Sequence, residues 1–348
     1  MIAASETSAS PAPDPLWRQR AMEWWRWTKY NGRIASEAPF RTTTRMRHGL
    51  PRLMLYFGRA PGDDLICTAL IRELSKRGQR GIWMMSNHPE LFAGNPDVEN
   101  IVPVEGRYER FAHVFKLNYR YLEYAGFDAA ADRMTSPARH AIAELCVRMG
   151  IDGDIDLRPV MHLTDSERAA AEWAKGKVCI QSSGLAARVP MLNKQWPAER
   201  YQQTVDALRG EFDFIQLGGA TDPKLEGATD LRGKTDKRET AAVLAASRLY
   251  VGNAGFLMHV ARAVECPSVI VYGGREAPWQ TGYGCNLNLY SAEPCAPCWR
   301  MNGCDFDRVC MSRIDTGQVT AAIRTLSATP RHPLAVDVIT LGKNPNEA

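Results

Sequence analysis

The chain has 348 residues, of which 45% are hydrophobic and 24% charged, an ordinary globular composition with length enough for two α/β cores. A formal net charge of +4, from 43 basic and 39 acidic residues, is too modest for a surface built to bind nucleic acid. No stretch approaches the roughly 20 consecutive apolar residues that a membrane-spanning helix needs.

The opening residues, MIAASETSASPAPDP, lack a basic segment leading into an apolar core. They predict a disordered lead rather than a signal peptide, and so a cytoplasmic chain. Nine cysteines, an odd number, fit a reducing compartment. LWRQRAMEWWRWTKY follows, with four tryptophans in eleven residues. Helical spacing groups Trp17, Ala21, Trp24 and Thr28, with Arg18, Arg20, Arg26 and Lys29 around the sides, and a second basic run extends from Arg41 to Arg52. The pattern fits an interfacial helix on an anionic membrane, or a helix packing its tryptophans on the body of the protein. Residues 1–50 are read as an N-terminal extension.

From Pro51 the pattern is regular. LMLYF (53–57) reads as a strand, APGD as a turn, LICTALIRELSKRG (65–78) as an amphipathic helix and GIWMMS (81–86) as the next strand. The alternation continues to about Gly153 and implies a parallel sheet. A second series starts with KVCIQSSG (177–184). A helix with Pro197 in its first turn follows, then the strand DFIQLGG (213–219) and a helix whose Asp236 and Glu239 have capping-box spacing. LYVGNAGFLMHVARAVECPSVIVYGG (249–274) reads as a βαβ unit whose loop lies where such sheets bind ligands. DTGQVTAAIRTL (315–326) is the last helix, and a loose tail is expected after Pro330. The domains expected are 51–160, 161–328 and a tail of 329–348. Neither GxGxxG nor GxxxxGK[ST] is present, which argues against ordinary dinucleotide enzymes and P-loop NTPases. Two Rossmann-like α/β halves facing a cleft fit better.

Four segments, in order, resemble glycosyltransferase family 9, the heptosyltransferase family. They are Gly62-Asp63-x-Leu65-Ile66, Asn193-Lys194-Gln195-Trp196-Pro197, the run from LRGKT to LYVGN with His259 beyond it, and CAPCWRMNGCDFDRVCMSRI. The resemblance implies a GT-B fold, two Rossmann-like domains with parallel sheets facing an interdomain cleft. It also implies an inverting mechanism, a nucleotide-sugar donor of the ADP-heptose type and a lipopolysaccharide or lipid-linked glycan acceptor, on the inner face of the inner membrane. No cofactor is expected for the chemistry. A protein hydroxyl as acceptor, or a non-catalytic sugar-nucleotide-binding protein, are the alternatives.

Under that resemblance Asp63 is the expected base, since an inverting transfer needs a carboxylate to take the acceptor hydroxyl's proton. Gly62 and Asp64 lie on the acceptor side, and Asp64 is also the candidate helix cap. Lys194 places a cation on the departing diphosphate. The backbone N–H groups of Gly255, Phe256, Leu257 and Met258 open a helix towards that anion, with His259 beside them. Ser182, Ser183, Gly218 and Gly219 complete the expected donor side, and Asp222 is read as a turn residue within reach of a ribose. Ala254 stands where the family carries an Asp, so the donor sugar is left open. Cys295, Cys298, Cys304 and Cys310 have a spacing that thiolates can use to converge on a structural zinc or iron, with packed free thiols as the alternative. Related protein O-heptosyltransferases carry a four-cysteine iron finger in this region. Arg275, Glu276, Trp279, Thr281 and Tyr283 either line the cleft or form a surface loop.

Overall fold

The computed structural model describes residues 16–58, 60–329 and 334–342. The lead expected at residues 1–15 lies outside them. By contact the chain divides into two units, residues 1–50 with 105–117, and residues 51–104 with 118–348.

The smaller unit is helical, with helices Leu16–Ser36, Ala38–His48 and Gly106–Val114. Glu37 holds Arg110 through both carboxylate oxygens, and the Arg107 guanidinium lies 4.6 Å over the Phe40 ring. Residues 105–117 therefore group with the N-terminal extension, although the pattern reads them as part of the first α/β domain. Trp24, Trp25 and Trp27 are 67%, 57% and 63% exposed, so these indoles are not core residues. The side chain of Trp17 lies outside the described residues.

The larger unit contains two parallel sheets. The first runs Asn100–Val102, Ile82–Met85, Leu53–Phe57, Tyr119–Leu122. Its central strands are almost wholly buried, as the unbroken apolar runs LMLYF and IWMM require of a sheet covered on both faces. The helix after the first strand starts earlier than the periodicity suggests, at Pro61, and ends at Lys76. Pro61 loses no hydrogen bond at a helix start, and Asp63 and Asp64 stand at the positive end of the dipole. Gly62, Asp63 and Asp64 are thus helical, not part of a turn.

The second sheet runs Ala228–Asp230, Phe214–Gln216, Val178–Ile180, Leu249–Asn253, Ser268–Gly273, Leu287–Tyr290. The capping box of Asp236 and Glu239 forms and opens helix Lys237–Ala246. One continuous core carries Leu65 and Leu70 of the first half together with Tyr250, Met258 and Val260 of the second. A second core of Trp196, Tyr201, Val251 and Ile323 fills the other face of the larger sheet. The tail differs from expectation. Val338–Leu341 pairs antiparallel with Gly153–Asp156, and Arg262 donates to the Ala335 carbonyl at 3.0 Å.

Candidate active site

Asp63 sits in the first turn of its helix, half-buried beside the end of strand Leu53–Phe57. Its neighbour Gly62 faces the start of helix Phe256–Ala263. A Cβ on Gly62 would lie 3.6 Å from His259 Cδ2 and 3.8 Å from Phe256 Cα. Two helix openings, one from each half, therefore meet within a residue of Asp63. Burial lifts the Asp63 carboxyl to about 6, and the nearby Lys194 charge pulls it the other way.

Asp64 corrects an expectation. It neither caps the helix, whose N-cap is Ala60, nor lies on an open acceptor side, because it is 1% exposed. The Ser86 hydroxyl donates to it at 2.6 Å. Burial, opposed in part by that bond, pushes its carboxyl up to about 7.

The segment Asn193-Lys194-Gln195-Trp196 has a separate task for each residue. Asn193 donates to the Gly303 carbonyl at 2.8 Å and accepts from Arg308 at 3.0 Å, tying the segment to the cysteine-bearing loop. Gln195 accepts from the Gly184 N–H at 2.8 Å and from the Ser183 hydroxyl at 3.2 Å. Trp196 is buried, donates to the Ile314 carbonyl at 2.8 Å and meets Tyr201 edge-on at 4.7 Å. Three anchored side chains thus fix the backbone that presents Lys194, whose Nζ lies 2.7 Å from Glu276 Oε1. Lys194 is drawn below its ordinary value by burial, against the pull of Glu276.

At the opening of helix Phe256–Ala263 the N-cap is Gly255, with no side-chain cap. Its φ of 167° is extended backbone that any residue adopts, so conformation does not demand glycine there. A Cβ on Gly255 would find nothing within 4 Å, which leaves open space before the first turn of the helix. Ala254, Leu257 and Met258 are buried, whereas Phe256 is half-buried, so a ligand here would meet backbone and the Phe256 ring. His259 Nδ1 lies 2.6 Å from the Tyr283 hydroxyl. Burial, helped by the Lys194 charge, pushes its imidazole down to about 3, so it stands neutral.

The remaining expected donor residues are occupied by the protein itself. The Ser182 hydroxyl donates to the Pro223 carbonyl at 2.6 Å and accepts from Gln216 at 3.0 Å. The Ser183 hydroxyl bonds Gln195 and accepts from the Leu185 N–H at 3.0 Å. Asp222 is buried and accepts from the Gly219 N–H at 2.9 Å, holding the Gly218-Gly219 turn rather than reaching outward. At Gly218 φ is +126°, and a Cβ would collide with that carboxylate.

Cys295, Cys298, Cys304 and Cys310 line one cavity of about 210 Å³, with Arg275, Arg300 and Arg308 in its wall. All nine cysteines are free. Burial raises the Cys295 and Cys310 thiols, and the neighbouring cysteines add to this. Among the described residues no three His, Cys, Asp or Glu side chains are arranged to hold a metal ion.

Arg275, Glu276, Thr281 and Tyr283 are buried, whereas Trp279 is 57% exposed. The stretch after Gly274 is therefore mostly interior, not a surface loop. Tyr124, which carries no motif signal, is half-buried, within electrostatic reach of Asp63, Glu276 and Arg275. Its ring meets Trp299 edge-on at 6.4 Å.

Residues 154–305 match the family model described as glycosyltransferase family 9 (heptosyltransferase). No curated protein matches the sequence significantly. The fold is similar to that of E. coli ADP-heptose lipopolysaccharide heptosyltransferase II, with a TM-score of 0.61 and 15% identity over 80% of this chain and 98% of that one. It is also similar to the iron-containing dodecameric glycosyltransferase TibC of enterotoxigenic E. coli, with a TM-score of 0.60 and 15% identity over 80% of each chain. A TibC structure in complex with ADP-D-β-D-heptose gives a TM-score of 0.57 and 17% identity over 80% of this chain and 77% of that one. The two parallel sheets are thus those of a GT-B fold. Residues 154–305 thus resemble glycosyltransferase family 9, on a fold similar to that of the solved heptosyltransferase.

Proposed function

We propose that the protein is an inverting glycosyltransferase that moves a sugar from a nucleotide-sugar donor of the ADP-heptose type to a lipopolysaccharide or other cell-envelope glycan. The observation that carries this reading is the meeting of Asp63, Lys194 and the helix opening at Gly255. Asp63 takes the acceptor hydroxyl's proton as that oxygen attacks the anomeric carbon from the face opposite the diphosphate. A carboxyl lifted to about 6 is ionised at neutral pH yet basic enough for the task. Lys194 and the N–H groups of Phe256, Leu257 and Met258 receive the charge that gathers on the leaving diphosphate. The half beginning at Pro51 receives acceptor, and the half beginning near residue 161 receives donor. The solved TibC complex with ADP-D-β-D-heptose supports the donor class.

The experiment is a thermal-shift screen of nucleotide sugars, followed by transfer of labelled sugar to envelope glycan or to candidate proteins. A chain that transfers from no nucleotide sugar to either acceptor rejects the proposal. A protein acceptor is the second reading, favoured by the four thiols on one cavity and the likeness to iron-containing TibC. Labelled protein without labelled glycan would select it. In either case Cys295, Cys298, Cys304 and Cys310, which line one cavity but are not set out as a ligand group in this structure, are read as holding a structural zinc or iron only once the metal draws them together.

The N-terminal helices are read as a contact with the anionic inner face of the inner membrane. Exposed Trp24, Trp25 and Trp27 supply indoles, and Arg18, Arg20, Arg26 and Lys29 supply cations for lipid phosphates. Among the described residues no helix is long and apolar enough to cross a membrane.

A further inference from the structure

Glu276 follows the end of strand Ser268–Gly273 and is 3% exposed. Its carboxylate bridges two cations. Oε1 lies 2.7 Å from Lys194 Nζ, and Oε2 lies 3.2 Å from Arg275 Nη1. Arg275 is itself fixed from behind, since its Nε donates to the Arg300 carbonyl at 3.1 Å and its guanidinium lies 4.9 Å from the Trp299 ring centre. Rigidity passes from the cysteine-bearing loop to Arg275, from Arg275 to Glu276, and from Glu276 to the end of the Lys194 side chain.

We propose that Glu276 is a positioning residue of the transfer reaction, its carboxylate anchoring the Lys194 ammonium where the leaving diphosphate gathers charge. The inference rests on the reading above in which Lys194 meets that diphosphate. The charged groups facing Lys194 are Glu276, Arg275 and Asp63, with His259 neutral beside them. Two cations and two carboxylates make this set neutral before reaction. When Asp63 accepts the acceptor's proton, the set becomes net positive, just as the diphosphate departs with its added negative charge. Ala254 brings no carboxylate to the helix opening, and Glu276 is the carboxylate paired with Lys194. A buried lysine beside an arginine tends to lose its proton, and a carboxylate in contact opposes that loss.

The test follows Lys194 directly by carbon-13 lysine NMR titration, with Lys194→Arg identifying its signal. Glu276→Gln keeps the shape and removes the charge, whereas Glu276→Asp keeps the charge at a greater distance. The Lys194 titration is expected to fall by about one pH unit or more in Glu276→Gln, a tenfold loss of proton affinity, with Glu276→Asp between that and the wild type. In transfer assays kcat for Glu276→Gln is expected to drop on the alkaline side and recover as pH is lowered, with acceptor KM unchanged. If circular dichroism shows Glu276→Gln unfolded, Glu276→Asp alone decides. An unmoved Lys194 titration overturns the inference even where the wild type transfers sugar. A titration that moves in a protein whose wild type transfers from no nucleotide sugar overturns instead the reaction assigned above.

Discussion

The carboxylate of Asp63 rests against the backbone of Gly58, so that a Cβ on Gly58 would lie 2.9 Å from Asp63 Oδ2. Gly58 also has φ of +50°, a left-handed conformation that costs a side-chain-bearing residue. Gly58→Ala carries both penalties. It is expected to lose about 1–3 kcal/mol of stability by chemical denaturation and to lower kcat by displacing the carboxylate.

Asp63→Asn keeps the shape and removes the carboxylate proposed as the base. Transfer is expected to fall about 10²–10⁴-fold, while ADP binding measured by calorimetry is retained. In the proposed mechanism Asp63 works deprotonated, so the wild-type rate is expected to fall as pH drops through about 6.

Stability runs the opposite way. The folded carboxyl binds its proton more tightly than the unfolded one, so its contribution is complete below 3.8 and is lost as pH rises through about 6. Asp63→Asn is therefore expected to be the more stable protein at neutral pH, by about 1–3 kcal/mol, read as a higher denaturant midpoint. An inactive variant with a lower midpoint would contradict the assigned burial.

Gly255→Ala separates binding from folding. The backbone tolerates the change and its Cβ enters open space, so stability should stay within about 0.5 kcal/mol. The methyl group nevertheless stands before the helix opening, and ADP affinity is expected to fall about tenfold, which is 1.4 kcal/mol. Equal affinities in the two proteins would place the diphosphate elsewhere.

The exposed indoles make the membrane reading testable without unfolding anything. Replacing Trp24, Trp25 and Trp27 together by alanine is expected to leave thermal stability unchanged and to reduce co-sedimentation with phosphatidylglycerol vesicles. Unchanged sedimentation would remove the membrane role.

For the four thiols, elemental analysis is expected to find about one zinc or iron per chain, and Cys298→Ser to lose it together with part of the thermal stability. Well under one metal per chain would leave the cysteines as packing residues.

The alternation of strands and helices from Leu53 onward was legible in the sequence, as was the capping box at Asp236, because periodicity and cap chemistry are local properties of the chain. Asp63 and Lys194 stood out for the same reason, each inside a short motif. Tertiary structure alone separated adjacent Asp63 and Asp64, leaving one at the meeting of two helices and burying the other against Ser86. It filled the hydroxyls of Ser182 and Ser183 with protein partners, paired Glu276 with Lys194 and drew Val338–Leu341 onto Gly153–Asp156. The reason is physical. What a charged or polar side chain does depends on how much water it loses and which partner reaches it, and those neighbours come from distant parts of the chain.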